Sequence, residues 1–117
     1  MQNNTNESDR REVLKYEFEA GEGSFMLQLR CGPGWDKKAY LRLFNAMLEC
    51  CKDHDGQTHV ERWIAEGFWW LDFYPRYTVE QTKEKSDYYE NAVTNFNHLA
   101  FWLFAGEGRA DNEFEPI

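Results

Sequence analysis

Hydrophobic residues recur along this chain with two different periods, and each period predicts a different kind of element. From residue 13 the period is two. Leu14, Tyr16, Phe18 and Ala20 alternate with Lys15, Glu17 and Glu19, and after Gly21-Glu22-Gly23-Ser24 the alternation resumes as Phe25, Leu27, Leu29 and Cys31. Two alternating runs around a short Gly-rich loop predict an antiparallel β-hairpin, with strands at about 13–20 and 25–31. A lone hairpin is marginal in water, so this one needs a helical layer on its apolar face.

After Gly32-Pro33-Gly34 the period becomes helical. Tyr40, Leu43, Phe44, Met47, Cys50, Cys51 and His54 share one face behind Asp36, a good N-cap, and predict a first helix over about 36–53. Val60, Trp63, Ile64, Gly67, Trp70, Leu71 and Tyr74 predict a second over about 59–74, opened by the capping-box pair Thr58 and Glu61 and stopped by Pro75. The aromatic run Phe68–Tyr74 has strong β propensity, so a third strand at 68–74 is the alternative there. Tyr89, Ala92, Val93, Phe96, Ala100, Leu103 and Phe104 predict a third helix over about 86–105, with Ser86 before it and Gly106 after it. The expected fold is therefore α+β, a hairpin packed on three helices. Polar residues 1–11 are expected to be a disordered arm, 12–108 a single globular domain, and 109–117 a frayed acidic tail.

Charge narrows the partners. Thirteen Lys and Arg stand against 21 Asp and Glu, a net of −8, and residues 86–117 hold six acids and only Arg109. A phosphate-binding face cannot be assembled from this balance, so neither nucleic acid nor an anionic membrane surface is an expected partner. A basic protein is, because an acidic surface steers it. The opening MQNNTNESDRRE has no apolar run of the kind a leader carries, and the three cysteines are odd in number with Cys50 and Cys51 adjacent. These features predict a cytoplasmic protein with reduced thiols.

Candidate chemistry is thin. Cys50, Cys51, Asp53, His54, Asp55 and His59 crowd within ten residues, but the second spaced ligand pair of a structural zinc site is missing. Read as a calcium loop, the same stretch puts Cys51 and Arg62 where carboxylates are required. No Gly-rich segment has the Gly-Lys-Ser/Thr ending of a phosphate loop, and no nucleophile elbow is present. No catalytic residue, metal or cofactor is expected.

The third helix is more unusual. From Asn91 to Phe104 it carries no formal charge, and its outward side offers Asn91, Thr94, Asn95, Asn97 and His98 with Trp102 one turn on. Solvent-facing helices carry Lys and Glu, so this face predicts a cover: another part of the chain, a partner or a small ligand. Five Trp, six Tyr and nine Phe make up 17% of the chain, more than a core this small readily hides. Asn91, Asn95, His98, Trp102 and Trp69 are accordingly the candidate partner- or ligand-binding residues. The expected function is a small acidic non-catalytic binding protein, a protein-interaction or inhibitor- and immunity-type module. The alternative is a small-molecule domain with an aromatic-lined pocket. The open hairpin edge and the surplus aromatics also leave room for a homodimer.

Overall fold

The computed structural model describes residues 7–82 and 86–117, and every regular element among them is helical. Five α-helices follow one another: α1 Glu7–Phe18, α2 Phe25–Cys31, α3 Lys37–His54, α4 Arg62–Gln81 and α5 Asp87–Ala105, with a 3-10 turn at Asp111–Glu113. The chain divides into two compact units, Met1–His54 and Asp55–Ile117. Residues 1–6 of the expected arm and 83–85 of the connector lie outside the described residues.

The α+β expectation is overturned, because the hairpin segments are α1 and α2. Between Glu12 and Cys31 the only β-branched residue is Val13, whereas Glu, Leu, Lys, Met, Gln and Arg, all good helix formers, dominate. In a helix residues two apart point in nearly opposite directions, and the side chains sort accordingly. Leu14 is buried while Tyr16 is half exposed, and Phe25, Met26 and Leu29 are buried while Cys31 is exposed. The loop is not a hairpin turn either. The Ala20 N–H donates to the Glu17 carbonyl and the Gly21 N–H to the Tyr16 carbonyl, the paired bonds of a Schellman helix end, and Ala20 sits left-handed at φ 58°. Ser24 then caps α2, its Oγ accepting the Leu27 N–H at 3.1 Å.

The left-handed alanine gives a first expected result. Ala20→Gly should raise the unfolding free energy by about 0.5–1 kcal/mol, the strain relieved exceeding the entropy glycine adds to the unfolded chain. A urea melt checks it, and a lower midpoint would refute it.

In the Met1–His54 unit α1 runs antiparallel to α3, with an ion pair at each end. The Arg10 guanidinium grips Asp53 with two bonds of 2.9 and 3.1 Å. At the other end Arg42 Nε donates to Glu17 Oε2 at 2.9 Å. Glu17 is only 2% exposed, and its Oε1 also accepts the Phe25 N–H at the start of α2 at 3.3 Å. One acid thus ties three helices. Under it lie Leu14, Phe25, Met26, Leu29, Leu43 and Met47, and an aromatic group in which Tyr40 stacks between Trp35 and Phe44.

In the Asp55–Ile117 unit α4 packs on α5. Ile64, Gly67, Phe68, Leu71, Pro75 and Val79 are buried at helical spacing, and this packing overrides the β propensity of 68–74, so the alternative strand is absent as well. Pro75 does not stop α4, which continues to Gln81. Proline removes one backbone donor and costs about 3 kcal/mol inside a helix. Burial of Pro75 and of Val79 one turn on offsets that cost, and the Thr78 hydroxyl donates to the Tyr74 carbonyl. No helix of the described chain is long and apolar enough to cross a membrane.

Candidate functional site

Helix α5 has two inner faces. Ala92, Val93, Phe96, Leu99 and Ala100 belong to the apolar core. Asn91, Asn95, His98 and Trp102 stand at i, i+4, i+7 and i+11, so helical geometry places them in one row. The chain's own C-terminal segment runs back along that row. Trp102 is 7% exposed, with Gly108 against its indole and its Nε1 donating to Asp55 Oδ1 at 3.1 Å. The Phe114 ring meets His98 edge-on with centroids 6.2 Å apart, and the Arg109 guanidinium lies over the Phe114 ring, 5.8 Å from its centroid.

The asparagines hold the backbone of the segment. Asn95 is fully buried, and its amide reads one residue twice: Nδ2 donates to the Glu115 carbonyl at 3.0 Å, and Oδ1 accepts the Glu115 N–H at 2.7 Å. Asn91 Nδ2 donates to the Pro116 carbonyl at 2.8 Å. The segment is braced within itself, since Arg109 Nη2 donates to the Glu113 carbonyl and Glu113 Oε1 accepts the Ala110 N–H. Four of the five candidate residues are therefore gathered in one place, and what touches them here is the chain itself.

His98 reports on this arrangement. Burial, and after it the Arg109 guanidinium, push its pKa below the ordinary histidine value, while Glu115 pulls the other way. The folded pKa lies below the unfolded one, so the unfolded chain takes up the proton first. The stability contributed by the neutral ring is full above the ordinary value and is lost as pH falls toward the folded one. His98→Gln should flatten part of the stability loss between about pH 7 and about pH 5. Parallel urea melts at the two pH values check this, and equal slopes for both proteins would contradict it.

Trp69, the fifth candidate, is elsewhere. It lies on the outer face of α4 at 59% exposure, with its ring 4.7 Å from that of Phe73. Phe73 is 43% and Tyr77 57% exposed. With Glu66 and Glu80, both exposed, these residues form a straight row at spacings of three, four, four and three, aromatic in the middle and acidic at each end. Sequence reasoning missed Phe73 and Tyr77. The available signal was that residues 69, 73 and 77 fall on the side of α4 opposite Ile64, Phe68 and Leu71.

Two surface grooves of the Met1–His54 unit, of about 410 and 510 Å³, are lined mainly by charged residues around Val13 and Arg42, with Tyr16 the one aromatic side chain between them. Cys50 and Cys51 are buried in α3, and His54 Nδ1 lies 2.9 Å from the Cys50 carbonyl. Among the described residues no three His, Cys, Asp or Glu side chains converge as metal ligands would. Comparison with protein-family models, with curated proteins and with solved structures returns no match for this chain.

Proposed function

We propose that this chain is a small, acidic, cytoplasmic binding protein without catalysis, an interaction module whose partner presents a basic amphipathic helix to α4. The observation that carries this reading is the exposed row Glu66, Trp69, Phe73, Tyr77, Glu80. Three large aromatic side chains on one exposed line are the residue types that dominate binding hot spots, and contiguous exposed apolar surface is uncommon without a use. Charge supplies the partner's chemistry. Residues 55–117 carry twelve acids against five bases, net −7 of the total −8, and an acid closes each end of the row. A helix with an apolar stripe and Lys or Arg at its ends complements both features. The same balance argues against nucleic acid or an anionic membrane as the partner.

The test is a titration of the full chain into a labelled synthetic helical peptide, Leu along one face and Lys at both ends, followed by anisotropy. Binding should weaken about tenfold between about 20 mM and about 300 mM salt. Trp69→Ala and Phe73→Ala should each weaken it by about tenfold or more, with little change in stability because both side chains are exposed. Binding indifferent to salt and to both substitutions would refute the proposal.

A further inference from the structure

The row Asn91, Asn95, His98 is a site with its ligand in place. We infer that this face of α5 is a receptor for an extended protein segment, filled in cis by the C-terminal residues 114–116, and that an extended segment of a partner protein with an aromatic residue just before the clamped one can take their place. The inference is independent of the α4 reading, since it concerns another helix and another kind of ligand.

Three observations carry it. First, recognition is through backbone. Asn95 takes both the N–H and the carbonyl of Glu115, and Asn91 takes the carbonyl of Pro116, so the clamp does not depend on the side chains at 115 and 116. Second, the clamp is specific. Asn95 is fully buried beneath the segment, and both ends of its amide are paired there, so a segment that takes the place of 114–116 must offer the same backbone N–H and carbonyl. Third, the tail is held lightly. Residues 111–113, 116 and 117 are exposed, Phe114 is its one partly covered hydrophobic side chain, and Gly106-Glu107-Gly108 is an exposed tether with Gly106 left-handed at φ 77°. A segment with so little buried apolar surface opens at lower free energy than the helix pair it lies on.

The cis tail competes at the high effective concentration of any tethered ligand, so weakening it should reveal the site. The probe is a labelled peptide of residues 109–117 added to the full chain. Phe114→Ala in the chain should tighten peptide binding about tenfold relative to the native chain by loosening the cis competitor. Adding Asn95→Gln to that variant should abolish binding, because the longer side chain cannot keep the paired bonds. Equal binding by native and Phe114→Ala chains, or none by either up to about 1 mM peptide, would overturn the inference. Hydrogen exchange on the native chain decides the matter if the variant fails to fold. The Glu115 amide should exchange about a hundredfold faster than those of Phe96 and Leu99. Equal protection would mean that the tail leaves only when the unit unfolds, and would refute exchangeability.

Discussion

Trp102→Ala is expected to cost about 3–5 kcal/mol and to leave the Asp55–Ile117 unit largely unfolded. The indole is 7% exposed, so alanine would open a cavity at the end of α5 and remove the surface on which Gly108 rests. It would also remove the bond from the indole N–H to Asp55 Oδ1. Trp102→Phe separates these effects. It keeps most of the ring volume and loses the hydrogen bond, and should cost only about 1–2 kcal/mol. Urea melts followed by circular dichroism measure both. A Trp102→Ala protein within about 1 kcal/mol of the parent would contradict the burial of this residue and the docking of the segment that follows it.

The second large effect is expected at the Glu17–Arg42 pair, and it is asymmetric. Arg42 is 49% exposed, whereas Glu17 is 2% exposed. Arg42→Ala leaves a buried carboxylate facing no counter-charge, and should cost about 2–3 kcal/mol, less than for a fully buried pair because one partner is half in water. It also removes the bond from Arg42 Nη2 to the Gly23 carbonyl that holds the loop before α2. Glu17→Gln releases Arg42 to solvent and can still accept the Phe25 N–H, so it should cost about 1 kcal/mol. Chemical denaturation of the two variants gives the order directly. Glu17→Gln costing more than Arg42→Ala would refute the account of which partner is trapped.

The same residue explains why the first third of the chain misleads a reader of its sequence. On α1 the inward side is Arg10, Leu14, Glu17 and Phe18, which sets two hydrophobes beside an acid and an arginine, so the apolar helical stripe is broken. The four-residue alternation Leu14, Tyr16, Phe18, Ala20 fills the gap with a false strand signal. Glu17 is legible as a core residue only once Arg42 and the Phe25 N–H are known to meet it. By contrast α3 was open to reading. Asp36 Oδ1 accepts the Ala39 N–H at 2.9 Å, and Tyr40, Leu43, Phe44, Met47, Cys50 and Cys51 are buried as their spacing implies. The extension of α4 past Pro75 was not legible, because the proline's local cost is offset only by tertiary burial.

The site divides in the same way. The missing charges on α5 mark a covered face, and a sequence pattern can show that much. What lies on it is backbone from Glu115 and Pro116, and backbone atoms leave no trace in composition or period. On α4 the aromatic residues were visible, but which of them point outward depends on which side meets α5. Trp69, Phe73 and Tyr77 do not, and Phe68 and Leu71 are buried. The edge-pairing route to a homodimer falls with the hairpin that would have supplied the edge.

The proposed seat for a basic amphipathic helix is the outer face of α4. It is tested most directly by mapping backbone amide shifts of the isotopically labelled chain as the Lys-ended helical peptide is added. Shifts should concentrate between Glu66 and Glu80, be largest at Trp69, Phe73 and Tyr77, and fade as salt is raised. Shifts centred on Asn91, Asn95 and His98, or none up to about 1 mM peptide, would contradict it.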